Sequence, residues 1–410
     1  MTPRGDGLDA ILAGRAVRSV YQPIVDLARD EVVAFEALAR GPAGSAWHRP
    51  QALLDAARAS GRLGELDWVC RAAAYDGAFA AGLPTALPLF VNVEPVTAAT
   101  DCPPDLRPLV DRADERLRVV AEVTERSVTD DPAGLLTALD DWRSADHRMA
   151  LDDVGAEADS QAMMPLLEPD IIKLDRAVTR DLTTAHAVRV VDAARSEAAR
   201  TGALILAEGI ETPDQLAAAR AAGATLGQGW LLGRPGPLPG RLLEPTEQLP
   251  PGRPARPGAP GATPFAVASA RHRADRASRA AMLGRSRALE ERGIAATEPT
   301  ILLTSFQDAR RFDPATRRRY EKIAAEGVFT AAFGRRMPAH PARRVRGCEI
   351  PGDDPLAGEW TVIVVGSRFA SGVFGRQRDA DSYDVVTSTD RDLVLAAAAT
   401  LARRLQPAGP

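Results

Sequence analysis

Two adjacent carboxylates stand at the end of a short apolar stretch in the middle of this chain. The segment Arg148-Met149-Ala150-Leu151-Asp152-Asp153-Val154-Gly155 reads as a buried strand that ends in Asp152 and Asp153 and breaks at Gly155. Because neighbouring carboxylates repel each other, a cation between or beside them is one interpretation. An ordinary aspartate-rich turn after a strand is the other. By themselves the two residues favour the turn, and the other strand ends of the chain shift the balance toward the cation.

Seven strand-like runs, including the one above, place a polar side chain at their carboxyl ends. These residues are Glu36, Asn92, Glu122, Asp152, Asp153, Lys173, Glu208 and Gln228. In a closed parallel barrel the carboxyl ends of the strands share one face, where catalytic residues gather. Carboxylates with an amide oxygen, without His or Cys, suit Mg²⁺ or Mn²⁺ better than Zn²⁺. Such a set is large enough for two ions roughly 4 Å apart that hold a phosphodiester for in-line attack by a shared water.

Two of these residues are candidates for groups that act on the reaction itself. Lys173 could neutralise a phosphate oxygen or orient the water. A salt bridge from Lys173 to a neighbouring carboxylate is the structural alternative, and the two roles are compatible. Glu208 could act as a general base or support a metal ligand from behind.

The elements that must position these side chains form a regular pattern. Residues 19–26 and 31–36 read as strands joined by so short a connection that they must form an antiparallel hairpin. Further strands are predicted at 88–92, 117–122, 149–152, 170–173, 203–207 and 225–228, and helices most clearly at 133–145, 184–201 and 212–222. Eight strands alternating with helices predict an α/β fold, a TIM-like (β/α)8 barrel whose first strand is antiparallel to the rest.

The remaining segments predict further parts around this barrel. Residues 1–18 read as a leader, 19–240 as the barrel, 241–264 as a linker rich in Pro and Gly, 265–297 as a connecting helix, and 298–405 as a small α+β domain. The predicted helix is rich in arginine, which could indicate nucleic-acid binding. It lacks interleaved aromatic residues and any binding motif, so a solvated helix is the favoured interpretation and no nucleic-acid partner is expected.

Composition narrows the class of protein. The net charge of -4 gives no general attraction to nucleic acid or anionic membranes. Three cysteines are scattered and five histidines stand alone, which argues against a disulfide framework and a histidine zinc site. No apolar run has the length of a membrane span. A cytoplasmic protein without a membrane partner is expected.

Eight short motifs occur in order over residues 19–235. They are Tyr21-Gln22-Pro23-Ile24, Glu36-Ala37-Leu38-Ala39-Arg40, Asn92-Val93-Glu94-Pro95, Glu122-Val123-Thr124-Glu125, Asp152-Asp153-Val154-Gly155, Pro169-Asp170-Ile171-Ile172-Lys173-Leu174-Asp175, Ala207-Glu208-Gly209-Ile210-Glu211-Thr212 and Gln228-Gly229-Trp230-Leu231-Leu232-Gly233-Arg234-Pro235. Each motif alone is a weak signal. Together they resemble the EAL family of cyclic-di-GMP phosphodiesterases, whose fold is a barrel with an antiparallel first strand.

The resemblance implies a function and a role for each matched residue. The implied reaction is hydrolysis of one phosphodiester bond of cyclic-di-GMP to linear pGpG with two Mg²⁺ or Mn²⁺ ions, in a homodimer. The implied metal ligands are Glu36, Asn92, Glu122 and Asp152, with Asp153 serving the second metal. The implied catalytic residues are Lys173, Glu208 and Glu36, and the implied substrate-binding or site-lining residues are Gln22, Leu38, Arg40 and Gln228. Glu125 matches a residue that steadies the loop after the aspartate pair, and Glu211 matches a further rim carboxylate.

One loop departs from the family pattern. After the aspartate pair, Val154 replaces a phenylalanine, Glu157 a glycine and Ala158 an aromatic residue. In the family this loop helps to bind the second metal and couples to dimer packing. Glu157 removes backbone freedom and adds charge beside an anionic substrate. The alternative to an active phosphodiesterase is therefore a weak or inactive cyclic-di-GMP receptor that signals through a partner.

The C-terminal part resembles a second family over about 298–405. The supporting motifs are Thr304-Ser305-Phe306-Gln307, Arg319-Tyr320, Ala332-Phe333-Gly334, Pro355-Leu356, Glu359-Trp360-Thr361-Val362 and Thr389-Asp390-Arg391-Asp392-Leu393-Val394. They are similar to the DICT family, a sensory module found beside cyclic-di-GMP enzymes and two-component proteins. The resemblance implies control by a signal ligand or protein that these residues do not identify. A domain without any influence on the barrel is the alternative.

Overall fold

A computed structural model describes residues 7–94, 100–124, 130–156, 161–254, 261–296 and 298–407. These residues fold into two compact units. The first contains the described residues up to 124, together with 138–156 and 169–254. The second contains 130–137, 161–168 and the described residues from 261 onward.

The first unit is built on a closed eight-stranded barrel. Its strands are β1 (Arg18–Asp26), β2 (Glu31–Arg40), β3 (Leu89–Asn92), β4 (Val119–Thr124), β5 (Arg148–Val154), β6 (Ile171–Leu174), β7 (Leu204–Ala207) and β8 (Leu226–Gly227). β1 pairs antiparallel with β2 and with β8, and the other neighbouring strands are parallel. The predicted barrel with an antiparallel first strand is confirmed.

Helices follow the strands, and several have clear start and stop signals. They are α1 (Leu8–Ala13), α2 (Pro50–Ala59), α3 (Leu63–Ala80), α4 (Arg107–Arg116), α5 (Pro132–Ser144), α6 (Met164–Leu167), α7 (Arg176–Arg180), α8 (Ala185–Thr201) and α9 (Pro213–Ala221). The Thr184 side chain caps the start of α8, and Gly202 ends it in the left-handed conformation. Thr212 and Gln215 form a capping box at α9. Local sequence therefore fixes where these helices begin and end.

The segment predicted as a linker is partly a structural element of the barrel. Leu249 is 6% exposed and belongs to the apolar core inside the barrel, together with Phe90 and Leu206. Arg118 and Arg148 both donate to the Leu249 carbonyl, and the Arg253 amide donates to Asp170. The predicted linker over 241–264 is therefore held against the barrel at Leu249 and Arg253, because a proline-rich segment can still be fixed by one buried side chain and its hydrogen bonds.

The second unit contains a seven-stranded mixed sheet. Its strands are β9 (Asp275–Ser278), β10 (Thr300–Asp308), β11 (Phe329–Arg335), β12 (Val345–Glu349), β13 (Glu359–Gly366), β14 (Ala370–Gln377) and β15 (Ser382–Ser388), in the order β12-β11-β10-β13-β14-β15-β9. Its helices from residue 261 onward are α10 (Pro264–Arg271), α11 (Arg279–Ile294), α12 (Pro314–Ala325) and α13 (Arg391–Ala402). β10, β11 and β12 are parallel, and the other pairs are antiparallel. The predicted α+β architecture is confirmed, whereas strands β9 and β14 were not predicted.

The predicted connecting helix over 265–297 is wrong as a single helix. The segment forms α10, then β9, then α11, and β9 pairs with β15 at the edge of the sheet. Thr263 and Ser278 cap two separate helices, and Ala277 is buried beside Tyr383. The arginine-rich composition hid this break because arginine is compatible with a helix and an edge strand alike.

Among the described residues, the structure contains no helix with the length and apolar character that a membrane span requires.

Candidate metal and catalytic centre

The barrel brings most of the predicted site residues to one end. Register pairs Asn92 with Glu122 across β3 and β4, and Thr124 with Asp152 across β4 and β5. Glu36 lies in β2 opposite Gln22 of β1, so the two side chains share a face. Short strands end at the same rim because parallel register aligns their carboxyl ends.

A bulge explains why both members of the aspartate pair reach this rim. Residues 151 and 154 of β5 pair with residues 172 and 174 of β6, so Asp152 and Asp153 together oppose Lys173. Without the bulge, successive side chains would point to opposite faces of the sheet. Asp153 also has a left-handed backbone with φ of 56°, an uncommon conformation for a residue other than glycine. The bulge thus converts two neighbouring carboxylates into a pair on one side.

The Lys173 ammonium is the centre of the cluster. Its Nζ lies 2.5 Å from Glu122, 2.8 Å from Asp152 and 2.8 Å from Glu208. Glu36 is farther, at 3.7 Å. Lys173 is 0% exposed, so its charge depends entirely on these partners. Burial alone would lower its pKa, yet the carboxylates outweigh burial and raise that pKa well above its ordinary value.

The carboxylates outnumber the ammonium, and their pKa values reflect the imbalance. Burial, followed by the charge of Glu36, raises the pKa of Glu122 well above its ordinary value. Burial also raises the pKa of Glu208, although Lys173 opposes the change. The pKa of Asp153 rises to about 6, through burial and then Asp152. A buried excess of negative charge favours bound cations.

The donor set fits hard divalent cations. Oxygen atoms of Asp152, Asp153 and Glu208 lie within 4.8 Å of one another. Asn92 adds an amide group whose nitrogen donates to Glu122 over 3.3 Å and whose oxygen is a further donor atom of the type that hard cations bind. All donors are oxygens, the type that Mg²⁺ and Mn²⁺ prefer.

The predicted substrate-binding residues lie along β1, β2 and the β8 end. Leu38 and Arg40 follow Glu36 at two-residue intervals and therefore share its face of β2. Gln22 donates to the Gly233 carbonyl over 3.0 Å, and Gln228 donates to Glu36 over 2.6 Å. Burial, together with Arg18, lowers the pKa of Arg40.

Of the two residues predicted to support the site, Glu211 and Glu125, the structure describes only Glu211. Glu211 is exposed just before α9, and its amide donates to Gln215 over 2.8 Å. Glu125 lies outside the described residues, as do Glu157 and Ala158 of the altered loop.

Two supporting contacts were missed by the sequence analysis. Asp67 of α3 accepts the Glu94 amide, just after Asn92, and pairs with Arg71 over 2.8 Å. Two opposite charges four residues apart in a largely apolar helix were the available signal. His186 of α8 hydrogen-bonds the Gly155 carbonyl over 2.8 Å, in the turn after Asp153. An isolated histidine on a polar helix face gave no signal for that role.

Comparison with known proteins finds two family models along the chain. The model described as "EAL domain" matches residues 7–235. The model described as "Sensory domain in DIguanylate Cyclases and Two-component system", DICT, matches residues 266–378. The first match covers more than half of the chain, and the second includes the segment that the sequence analysis had assigned to a connecting helix.

Curated relatives match about half of the chain. A probable cyclic di-GMP phosphodiesterase of Escherichia coli K12, PdeB, is 31% identical over 220 residues, which are 52% of this chain and 41% of the relative. The cyclic di-GMP phosphodiesterase NbdA of Pseudomonas aeruginosa is 31% identical over 237 residues, 53% of this chain and 29% of the relative. The chain thus covers less than half the length of these relatives.

Solved structures are also similar to about half of the chain. One is Klebsiella pneumoniae BlrP1 in a complex with manganese and cyclic di-GMP, which is 28% identical. The match has a TM-score of 0.48 and covers 54% of this chain and 57% of that chain.

Proposed function

The chain belongs to the EAL domain family and carries a DICT domain that follows the barrel in sequence, and from this premise we propose that it hydrolyses cyclic di-GMP to linear pGpG. The observation that carries the proposal is the buried carboxylate cluster around Lys173, assembled from β2, β4, β5 and the residue that follows β7. The phosphodiesterase names of PdeB and NbdA support the substrate assignment.

The chain's own residues divide the work of binding and catalysis. Glu36, Asn92, Glu122 and Asp152 would hold one divalent ion, and Asp153 would serve a second. When bound, such ions lower the pKa of a coordinated water and neutralise phosphate charge.

The remaining groups act on the substrate and the water. Lys173 keeps its proton and offers a fixed positive charge to a phosphate oxygen. Glu208 accepts from that ammonium and can take a proton from water. Gln22, Leu38, Arg40 and Gln228 line the approach of the dinucleotide.

Binding without turnover is the second candidate function. Val154, Glu157 and Ala158 depart from the family loop that follows the aspartate pair. An altered loop can leave a binding site intact while it displaces the second ion, because orientation contributes much of the rate. This receptor would pass its occupancy to a partner protein.

The deciding experiment is incubation of the purified full chain with cyclic di-GMP and either Mg²⁺ or Mn²⁺, with separation of the products. We expect linear pGpG with either metal and none with a chelator or with Asp152→Asn. Binding of cyclic di-GMP by calorimetry without any product would establish the receptor instead. Absence of both binding and product would contradict both candidates.

The same proposal includes control of the barrel by the C-terminal unit. It also includes a homodimer and a cytoplasmic location. The printed description of the DICT family as a sensory domain supports the control. Sedimentation of the full chain with and without cyclic di-GMP tests the homodimer.

A further inference from the structure

A basic pocket lies in the C-terminal unit, at the carboxyl ends of its three parallel strands. Asp308 ends β10, Arg335 ends β11 and Glu349 ends β12, and all three line a cavity of about 490 Å³. Arg310 and Arg336 complete its charged wall. In open sheets with parallel strands, ligands bind in the crevice outside these ends.

Three guanidinium groups converge on one carboxylate in this basic pocket. Arg336 hydrogen-bonds Asp308, the Arg310 Nε lies 3.4 Å from it, and an Arg335 nitrogen lies 3.7 Å from it. The arginine side chains remain 80%, 51% and 58% exposed for residues 310, 335 and 336. Each guanidinium has five N–H donors, so Asp308 can accept only part of what the three offer.

A bulge in β10 and two residues with left-handed backbone conformations lie beside the basic pocket. A bulge separates the pair Ser305 and Phe333 from the pair Asp308 and Arg335. Gln307, inside the bulge, has a φ of 63°, and its side-chain amide is anchored on the Gly358 carbonyl and on Gln377. Arg336 has a φ of 56°. Left-handed residues and bulges beside a cavity occur at binding sites, where they re-aim side chains.

We propose that the basic pocket binds a small anion that carries phosphate groups. Planar guanidinium forks match phosphate oxygens in pairs, and three forks suit a group with several oxygens. The cavity volume lies within the range of small-molecule sites. The Asp308 carboxylate holds the three guanidinium groups together, and their remaining N–H groups would donate to the ligand. The Arg336 and Arg310 contacts also keep the pKa of Asp308 well below its usual range, so this anchor stays ionised.

The test is calorimetric titration of the full chain with inorganic pyrophosphate at 150 mM salt, with a chelator present. The test variant is Arg335→Gln with Arg336→Gln. The matched control is Arg376→Gln with Arg378→Gln, which removes an equally exposed arginine pair from Asp384 in the same unit. We expect one site per chain in the native protein and in the control, and at least tenfold weaker binding in the test variant.

Three results would overturn the proposal. They are no binding by the native chain, equal binding by the test variant, and citrate binding as tightly as pyrophosphate, which would assign the site to carboxylates. If the double variant fails to fold, Arg310→Gln replaces it, with at least threefold weaker binding expected. The titration does not depend on turnover, so its outcome is independent of the proposed phosphodiesterase activity.

Discussion

At the scale of single residues, Lys173 is the group on which the centre depends. Its ammonium is fully buried and lies within 2.8 Å of three carboxylates. Removal of one partner from a buried charge cluster is far more costly than loss of a surface ion pair. Lys173 therefore links the stability of the metal-free barrel to the chemistry of the site.

We expect Lys173→Met to lower turnover of cyclic di-GMP by about three orders of magnitude, because a fixed charge at the reacting phosphate is lost. The melting temperature of this variant should fall without metal and rise more steeply with added Mn²⁺ than that of the native chain. Lys322→Met, at an exposed position in α12, is the matched control. Turnover within tenfold of the native value would show that Lys173 is only structural.

Glu359 provides a residue-scale test of pH dependence in the C-terminal unit. It is 2% exposed, its carboxylate accepts the Phe265 amide, and burial raises its pKa to about 7 from an ordinary 4.5. Between these values the native state binds more protons than the unfolded state. The free energy of unfolding of the C-terminal unit therefore falls as the pH rises from about 4.5 to about 7, and it stays lowered above pH 7.

We expect Glu359→Gln to stabilise the C-terminal unit at pH 8 by roughly 3 kcal/mol, because the amide keeps an acceptor for Phe265 without the buried charge. At pH 4.5 the difference should disappear. Urea unfolding at both pH values measures this, with exposed Glu291→Gln as the control. A gain of the same size at both pH values would rule out titration of Glu359 as the cause.

At the scale of elements, the segment 241–254 acts as a plug for the barrel. Leu249 enters the core formed by strands β1 to β8, while its carbonyl holds Arg118 and Arg148. A barrel interior is a packed core, and Leu249 covers it near the amino-terminal ends of β4 and β5, opposite the candidate site. This plug supplies apolar contact and hydrogen-bond acceptors together.

We expect Leu249→Ala to lower the free energy of unfolding of the barrel by about 2–4 kcal/mol through the cavity it leaves. Leu243→Ala, at a position 67% exposed in the same segment, should change it by less than about 0.5 kcal/mol. Chemical unfolding followed by tryptophan fluorescence compares the two. Equal, small effects would mean that the plug does not stabilise the barrel.

At the scale of the whole molecule, the division between the two units does not follow the chain. Residues 161–168 belong to the C-terminal unit, although they lie between β5 and β6 of the barrel in sequence. The aspartate pair is thus only a few residues along the chain from a segment of the other unit. If the C-terminal unit controls the barrel, as proposed, the chain between Asp153 and residue 161 connects the two units.

We expect a chain shortened after residue 254 to need more Mn²⁺ for half-maximal turnover than the full chain, because residues 161–168 lose the rest of their unit. A boundary at 254 keeps the Leu249 plug, which a boundary near 245 would remove. Steady-state kinetics at several Mn²⁺ concentrations make the comparison. Identical metal dependence and kinetic constants would eliminate control of the barrel by the C-terminal unit.

The sequence by itself determined the donor groups of the candidate site and the class of fold. Strand ends with Glu36, Asn92, Glu122 and Asp152 predicted an oxygen-rich rim, and a short connection after β1 predicted the antiparallel first strand. These features are local: residue type, strand period and connection length are properties of neighbouring residues, so they can be read along the chain.

Only the tertiary structure decided how distant segments meet. The bulge that sets Asp152 and Asp153 against Lys173, the burial of Leu249, and the pairing of β9 with β15 all depend on register and packing. Register is chosen by the faces that two distant strands bury against each other, and no single strand carries that information. A proline-rich stretch can be a tether or a plug, and an arginine-rich stretch can be helix or edge strand, until the partner surface selects one.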